Sequence, residues 1–352
     1  MLKILKKLPG MSQIYKKFKD LQTRVEELEK TNSEITDKIR ALEEKDRGLD
    51  YRIDDLYHEN YLTRKEILQY YGRYIKNEGM EELVSDWFFK ETGERLDLAN
   101  PTTYNQKIQW IKLYGVNAQT TMLSDKYKVR EWISKTIGEQ YLIPLLGVWN
   151  SFEEIDFDSL PDRFVLKANH GSGMNAIIED KKSLDMGNLK NKVHEWLRTD
   201  YAFYSGFEMQ YSNIERKIIA EKYMENSAGN LNDYKVLCFN GEPKYILYVT
   251  NRRNSVKKAF YDLEWNKQPF VSTQSLLEED VEKPKQLDKM IELSRVLSKG
   301  FCHVRVDWYL FDDGTIKFGE MIFTPLSGIG KWCPPEYNKI LGDLIQLPEK
   351  ID

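Results

Sequence analysis

The sequence is poor in the residues that build metal clusters and disulfide frameworks. Only three of its 352 residues are cysteine, Cys238, Cys302 and Cys333, and no two of them have C-x-x-C spacing. An odd number of widely separated cysteines favours a reducing compartment over secretion and argues against a zinc site. The four histidines are too scattered to indicate a metal cluster.

Long apolar runs and an excess of basic charge are also lacking. The chain has no run of about 18 apolar residues, so a membrane-spanning helix is not expected. A net charge of -4 argues against nucleic-acid binding. Lysines interrupt the amphipathic N-terminus MLKILKKLPGM, which therefore is not a signal peptide. It is either a solvated lead-in to a helix or a weak contact with an anionic membrane surface. We predict a cytoplasmic protein, with the inner face of the membrane as the alternative.

A heptad repeat runs through the first sixty residues. Leucines fall at the d positions, branched residues fall at most of the a positions, and Asn32 lies at one a position. The d residues are Leu21, Leu28, Leu42, Leu49 and Leu56, and the branched a residues are Val25, Ile39 and Ile53. This pattern favours two parallel strands, with the asparagine fixing the register. We predict a parallel homodimeric coiled coil over residues 1–60. The alternative is a helix that folds back on its own globular domain.

Residues 61–122 lose the heptads but remain rich in helix-forming and aromatic residues. The stretch NPTTYNQKIQW, residues 100–110, predicts a capped helix that begins after Pro101. We interpret residues 61–122 as a helical bridge. A second helix is predicted from Ser124, with Asp125 and Lys126 in its first turn and its end at Gly138.

The stretch VLKANHGSGM, residues 165–174, places Lys167 before a glycine loop. β-prone runs flank this loop, so a hairpin is predicted over residues 164–179. Glycines let backbone N–H groups approach an anion, and a serine hydroxyl adds a donor. The loop is therefore either a phosphate-binding lid or an ordinary turn beside a surface lysine. A further strand, residues 218–224, is followed by a polar stretch, and such a crossing can offer backbone groups to an adenine edge.

A pair of carboxylates near the C-terminus is predicted from β-strand geometry. Alternation in HVRVDWYL, residues 303–310, puts His303, Arg305 and Asp307 on one face. Asp313-Gly314 favours a two-residue turn, which pairs Asp312 with Thr315, Leu310 with Lys317, and Asp307 with Glu320. Opposed carboxylates repel, and Mg²⁺ would turn that repulsion into ligation. The alternative is an ion-paired surface site neutralised by Arg305 or a lysine.

Taken in order, these motifs resemble an ATP-grasp enzyme, more specifically the TupA-like subgroup of bacterial polysaccharide and teichuronopeptide synthesis. The matching phrases are FVLKANHGSG (164–173), DYKVLCFNG (233–241), VRVDWY (304–309), FGEMIFTP (318–325) and PEY (335–337). The resemblance covers roughly residues 100 to 350. It implies an α+β ATP-grasp fold after the coiled coil, with a glycine-loop portion over residues 123–225 and a metal-carboxylate portion over residues 226–352.

The resemblance also implies roles for individual residues, with ATP and Mg²⁺ as the cofactors. The phosphates would contact Lys126 and Lys167, and the loop would close over them with Gly171, Ser172 and Gly173. The nucleoside would be lined by Glu221, Lys222, Met224 and Asp233. The magnesium would be held by Asp307 and Glu320. Two positions depart from the pattern, Ile322 in place of a polar ligand and Leu326 in place of a glycine, so the number of magnesium ions stays open.

The chemistry implied is ATP-dependent joining of a carboxylate to an amine through an acyl phosphate. Lys235 or Arg305 would steady the carboxylate or the oxyanion, and His170 either acts at the site or caps the loop. The resemblance suggests a sugar acid, such as a uronic acid, joined to an amino acid or a small amine in a surface polysaccharide. Two alternatives are a sugar kinase and a non-catalytic coiled-coil scaffold with a degenerate ATP-grasp domain.

Overall fold

The computed structural model describes residues 79–226, 231–250, 256–272 and 276–350, together with a few helical residues between 19 and 31. The chain divides into two compact units, residues 1–86 and 87–352. Apart from those few helical residues, the predicted coiled coil lies outside the described residues, as does the start of the predicted bridge. None of the described helices has both the length and the apolar character that crossing a membrane requires.

Helices and two antiparallel sheets alternate along the described chain. The helices are α1 (Met80–Thr92), α2 (Tyr104–Tyr114), α3 (Ala118–Ser124), α4 (Val129–Thr136), α5 (Met186–Arg198), α6 (Tyr201–Tyr204), α7 (Leu287–Ser298) and α8 (Tyr337–Asp343). The strands are β1 (Leu145–Trp149), β2 (Phe164–Ala168), β3 (Asn175–Ile178), β4 (Ile218–Lys222), β5 (Asn232–Phe239), β6 (Glu242–Thr250), β7 (Lys257–Tyr261), β8 (His303–Leu310) and β9 (Ile316–Ile322). The first sheet has the order β1-β4-β2-β3 and the second β7-β6-β5-β8-β9. The predicted α+β class is confirmed.

The capped helix predicted after Pro101 is present as α2. The Thr103 side chain accepts from the backbone N–H of Gln106, and the Gln106 side chain reaches back to the backbone N–H of Thr103. This capping box satisfies two of the backbone donors that a helix start leaves open.

The second sheet is covered by helices on both faces. On β5, the side chains of Tyr234, Val236 and Cys238 pack with α7. Those of Leu237 and Phe239, on the opposite face of the same strand, pack with α2 and α8. On β8 the apolar residues Val304, Val306 and Trp308 share the α7 side. His303, Arg305 and Asp307 therefore share the opposite face, as the period-two pattern predicts.

The glycine-loop hairpin is confirmed, but the helix predicted from Ser124 is wrong in its boundary. Strands β2 and β3 pair antiparallel, with Lys167 opposite Asn175. Helix α3 ends at Ser124 and α4 begins only at Val129. The Asp125 carboxylate accepts from the backbone N–H groups of Tyr127 and Lys128, 2.8 and 3.2 Å away. This local turn competes with helix formation, so Lys126 lies in a connection between helices.

The β8–β9 hairpin differs from the predicted one at its turn. Phe311 N–H donates to Thr315, and Gly314 N–H donates to Phe311, which gives a three-residue loop with Gly314 at a φ of +82°. Leu310 therefore lies opposite Ile316, not Lys317, and the predicted two-residue turn with Asp312 facing Thr315 is wrong.

A bulge corrects the register before the acids are reached. Strand β9 has one extra residue, Gly319, between Phe318 and Glu320, so Asp307 lies opposite Glu320 as predicted. A Cβ on Gly319 would lie 3.1 Å from the Asp307 carbonyl oxygen. Glycine therefore fits the close approach that this bulge needs.

Candidate functional site

A cavity of about 240 Å³ lies between the two sheets. One wall comes from the first sheet and the residues preceding it, and the other comes from β8 and β9 of the second sheet. The residues that carry charge or the glycine loop are Lys126, Arg130, Lys167, Gly171, Ser172, Gly173, Glu221 and Glu320. The structure thus brings the two predicted phosphate lysines, the predicted loop and one predicted metal carboxylate to a single cleft.

Lys126 joins the glycine loop to the acids. Its Nζ donates to the Gly171 carbonyl oxygen at 2.6 Å and lies 3.5 Å from Glu320 Oε2. The loop reverses at Gly173, whose φ is +75°, a conformation that favours glycine. Lys126 was predicted in a helix and lies instead in the α3–α4 connection, from which it contacts both sides of the cleft.

Asn169 fixes the backbone on which Lys126 is mounted. Its side-chain amide donates to Asp125 Oδ1 and to the Glu215 carbonyl oxygen, both at 2.9 Å. Its carbonyl Oδ1 accepts from Lys217 N–H at 2.7 Å, and its backbone oxygen accepts from Lys126 N–H at 3.0 Å. This buried asparagine ties the end of β2 to the turn before α4. Sequence reasoning assigned it no role.

Glu221 lies between two cations. Lys167 Nζ donates to its Oε2 at 2.6 Å, and Arg130 Nη1 donates to its Oε1 at 2.9 Å. Burial opposes the charged form of Lys167, but Glu221 and Tyr309 outweigh that effect and raise the lysine pKa. Arg130 was missed from the sequence, although it follows Lys126 by only four residues.

A second cavity, of about 330 Å³, adjoins the first and shares Lys167, Asn175, Glu221 and Tyr309 with it. The further lining residues are Ile143, Val165, Ile177, Lys222, Tyr223, Met224, Glu225, Leu231 and Phe311. Both residues predicted to reach the adenine through the backbone, Lys222 and Met224, line this cavity. Its walls carry several apolar side chains, which suits a flat aromatic ring better than a phosphate.

Asp307 is held by two cations on the shared face of β5 and β8. Arg305 Nε donates to its Oδ1 at 2.7 Å and Nη2 to its Oδ2 at 2.8 Å. Lys235, directly opposite on β5, also donates to Oδ2. The neutralisation by Arg305 or a lysine that the sequence left open is therefore present. Two of the three catalytic candidates from the sequence, Lys235 and Arg305, are bonded to Asp307.

Glu320 experiences four cations at once. Burial acts to raise the pKa of this carboxyl, but Lys126, Lys235, Arg305 and Lys167 outweigh it and lower the pKa to about 2. Among the described residues, no group of three or more His, Cys, Asp or Glu side chains could hold a metal by itself. The donor set of Asp307 and Glu320 is one of hard oxygens, which fits a cation that takes its other ligands from phosphate and water.

Comparison with known proteins identifies the family of the sequence. The sequence model of the family described as TupA-like ATPgrasp matches residues 106–346, more than half of the chain. The chain belongs to the TupA-like ATP-grasp family. The family predicted from the sequence motifs is thereby confirmed, and ADP-forming ligation is the chemistry of ATP-grasp members.

Solved structures and curated proteins add less. The D-alanine–D-alanine ligase from Bacillus anthracis complexed with ATP is 19% identical, with a TM-score of 0.40 over 64% of this chain and 65% of that chain. The L-amino acid ligase from Bacillus licheniformis is 16% identical, with a TM-score of 0.36 over 64% of this chain and 48% of that chain. This chain thus spans 65% and 48% of the length of these two solved structures, and 40% of that of another. No curated protein sequence matches it.

Five of the predicted site residues of this ATP-grasp chain do not line either cavity. Three of them, Lys235, Arg305 and Asp307, form the bonded group described above, and the other two are His170 and Asp233. His170 is buried, with Nε2 3.0 Å from the Trp196 carbonyl oxygen and Nδ1 3.4 Å from Asn169 Oδ1. Burial, assisted by Arg216, lowers its pKa to about 4. Asp233 is also buried, with Oδ2 3.9 Å from Lys235 Nζ. The geometry favours the loop-capping alternative for His170 over contact with substrate.

Proposed function

We propose that this chain is an ATP-dependent ligase that joins a carboxylate to an amine and releases ADP and phosphate. The observation that carries the proposal is that Lys126, Lys167, the glycine loop and Glu320 line one cavity, in which Lys126 Nζ lies 3.5 Å from Glu320 Oε2. Such a concentration of positive charge beside two opposed acids suits a polyphosphate bound with a divalent cation. Membership of the TupA-like ATP-grasp family supports the same reading.

The nucleotide would lie across both cavities. Its adenine and ribose would occupy the cavity lined by Lys222 and Met224, with Asp233 as the neighbouring acid. Its phosphates would meet Lys126, Lys167 and the amides of residues 171–173. Glu221 now bonds Lys167 and Arg130, and we assign it the task of orienting these cations.

Asp307 and Glu320 would hold Mg²⁺, which when bound would neutralise charge on the transferring phosphate oxygens. Arg305 and Lys235 orient Asp307 through the bonds they make to it and supply positive charge near the reacting carboxylate. Positioning and charge stabilisation of this kind are the main requirements of phosphoryl transfer.

The reaction would proceed in two balanced steps. The carboxylate oxygen attacks the γ-phosphorus, the bond to the β-phosphate oxygen breaks, and ADP leaves. The amine nitrogen then attacks the acyl carbon, and the C–O bond to phosphate breaks. One of the two protons lost by the incoming ammonium leaves with phosphate and the other passes to solvent. The product is an amide.

We further propose a sugar acid, such as a uronic acid, as the carboxylate, and an amino acid or a small amine as its partner. The setting would be the synthesis of a bacterial surface polysaccharide. This part of the proposal is supported by the TupA-like family membership alone. A cytoplasmic location is supported by the three cysteines, all of which are free.

We also propose that residues 1–60 make the protein a homodimer through a parallel coiled coil. The support is the heptad pattern with Asn32 at an a position. The basic N-terminus is proposed as a weak contact with an anionic membrane surface.

Trapping with hydroxylamine tests the ligase proposal. The protein, ATP and Mg²⁺ are incubated with a panel of sugar acids, with and without hydroxylamine, and ADP, AMP and hydroxamate are measured. We expect at least one acid to give equal amounts of ADP and hydroxamate. Formation of AMP and pyrophosphate would rule out the acyl-phosphate route. A stable phosphorylated sugar formed with no added amine would identify a kinase.

A further inference from the structure

Two turns with left-handed backbone meet beside the phosphate loop. The first contains Gly206 and Phe207, with φ of 90° and 66°. The second contains Leu326, Ser327 and Gly328, with φ of 56°, 50° and 64°. A non-glycine residue in this region is strained, so three of them require support from their surroundings. Leu326 occupies the position where the family pattern suggested a glycine, and its φ explains that preference.

Lys112 joins these two turns. Its side chain is fully buried, and Nζ donates to the carbonyl oxygens of Gly206 and Ser327 at 2.6 and 2.7 Å and to Gln109 Oε1 at 2.9 Å. The Gln109 amide donates in turn to the carbonyl oxygens of Ser327 and Gly328. Burial lowers the pKa of Lys112 to about 7. A buried ammonium is costly, and here it fixes two strained turns relative to each other.

These turns carry a short hydrogen-bonded chain of buried polar side chains. Thr324 Oγ1 donates to Glu208 Oε1, and Gln210 Nε2 donates to Thr324 Oγ1 at 2.7 Å. A threonine hydroxyl has one proton, so a hydroxyl that donates to Glu208 must accept from the glutamine. The Gln210 amide is thereby oriented with its carbonyl Oε1 facing away from Thr324.

The Gln210 carbonyl oxygen is a buried acceptor that these hydrogen bonds do not satisfy. The Gln210 side chain is 1% exposed, and Oε1 has no hydrogen-bond partner among the described residues. Leaving such a group unsatisfied destabilises the folded state. Burial also raises the pKa of Glu208, so its ionised form would gain from a further cation.

The hydrogen-bonded side chains of Glu208, Thr324 and Gln210 lie next to the proposed phosphate site. The Tyr201 ring packs so closely on the loop that a Cβ on Gly171 would be 2.7 Å from it. Glu208 N–H donates to the Ala202 carbonyl oxygen at 3.0 Å. The charge of Arg305 acts on both Glu208 and Glu320. Tyr201, which packs on the phosphate loop, therefore lies next to Ala202, the residue that holds the Glu208 backbone.

We propose that Glu208 and Gln210 bind the ammonium group of the amine substrate, with Thr324 and Lys112 as positioning residues. The proposal rests on the ligase function proposed above. A carboxylate and an unsatisfied carbonyl oxygen both accept hydrogen bonds, and a primary ammonium only donates them. A second carboxylate or a phosphate would be repelled by Glu208. The site thus separates the cationic substrate from the anionic ones.

A stability measurement with methylammonium tests binding without any turnover. The full chain is melted in increasing methylammonium chloride and in sodium chloride of matched ionic strength. We expect a saturable rise of the melting temperature in methylammonium only, because a ligand that binds the native state stabilises it. Glu208→Gln and Gln210→Met should lose that rise. Glu153→Gln, at an exposed ion pair with Lys190, should keep it.

Gln210→Met keeps the test decisive if Glu208→Gln fails to fold. This substitution removes an unsatisfied carbonyl together with one hydrogen bond, so the variant is expected to fold. Equal responses to the two salts in the unmodified chain would overturn the proposal. So would a methylammonium response retained by Gln210→Met.

Turnover separates failure of this subsite from failure of the ligase proposal. Hydroxylamine is largely neutral near neutral pH, whereas methylamine is protonated. With an acid that supports ADP release, Gln210→Met should raise the KM for methylamine by about tenfold or more, and by more than it raises the KM for hydroxylamine. An unchanged KM contradicts the subsite alone. Absence of hydroxamate from the unmodified chain with every acid contradicts the ligase proposal, and the stability measurement still decides the subsite.

Discussion

His303 illustrates how burial at one residue sets a pH dependence for the whole chain. Its Nδ1 donates to the Cys238 carbonyl oxygen at 2.9 Å, so the neutral ring accepts from the Tyr104 hydroxyl at Nε2. Burial, opposed in part by the bond to Cys238, lowers its pKa to about 3. This histidine lies two residues before Arg305, and so it helps to fix the strand that presents the acids.

We expect acid to destabilise the protein through His303. In the unfolded state His303 binds a proton below about pH 6.5, whereas in the folded state it binds one only below about pH 3. The contribution of the neutral ring to the free energy of unfolding is therefore complete above pH 6.5 and is lost as the pH falls below it. At 1.36 kcal/mol per unit, the loss at pH 5 is about 2 kcal/mol. Urea unfolding at pH 7.5 and pH 5 should show a smaller difference for His303→Gln. His194→Gln, at a partly exposed ring, is the control, and equal pH dependence in all three proteins would contradict the prediction.

Glu320 is the residue whose substitution bears most directly on the chemistry. Glu320→Gln keeps the shape of the side chain and removes the charge on which four cations converge. We expect ADP formation to fall by at least about 100-fold, as when one preorganised electrostatic contact is removed. Glu131→Gln, at an exposed pair with Lys135, should retain activity. Activity within a few-fold of the unmodified chain would remove Glu320 from the site.

At the scale of elements, we expect an added side chain in the glycine loop to weaken ATP binding even at a position where there is space for a Cβ. Gly173 and Gly93 both have positive φ, and a Cβ would meet nothing within 4 Å at either position. Alanine at each should therefore cost a similar roughly 1–2 kcal/mol from backbone strain alone. Only Gly173→Ala is expected to raise the KM for ATP, because only that glycine lines the cleft. Paired unfolding and ADP-release assays test this, and a raised KM in Gly93→Ala would contradict it.

Local patterns predicted the elements that carry the site, and longer-range geometry decided their details. Period-two alternation was sufficient to place Arg305 and Asp307 on one face, because it depends on β8 alone. The register across the hairpin required both the length of the turn and the bulge at Gly319, neither of which alternation encodes. The pairing of Asp307 with Glu320 was predicted correctly because the two shifts cancel.

The parts of the site that sequence reasoning missed are made by residues far apart in the chain. Lys112 bonds Gly206 and Ser327, and Glu208 bonds Thr324. No periodicity links such positions, and a lysine inside a helix is ordinarily interpreted as a surface residue. Arg130 could have been predicted from the sequence, since it lies four residues after Lys126. That spacing is one turn of the helix that was predicted from Ser124. A basic residue one turn after a predicted phosphate lysine was the available signal.

At the scale of the whole molecule, the charged residues of the candidate site come from two different sheets. The first sheet carries the glycine loop, Lys167 and Glu221, and the second carries Asp307, Glu320, Arg305 and Lys235. Cations and acids from opposite walls therefore meet only when both sheets are correctly placed. This arrangement lets a nucleotide bridge the sheets through its phosphates, and it accounts for the mutual ion pairs that the charged residues make in the described structure.

The heptads of residues 1–60 predict an assembly that does not contribute to the cleft. All lining residues of both cavities lie at or after residue 126, so deletion of residues 1–60 should leave ADP formation per chain unchanged. Light scattering should show that the full chain is a dimer and the shortened chain a monomer. Leu28→Asp, which places a charge at a d position, should also lower the mass. A full chain that is already monomeric would support instead the helix that folds back on its own domain, because that alternative buries the same leucines without a partner.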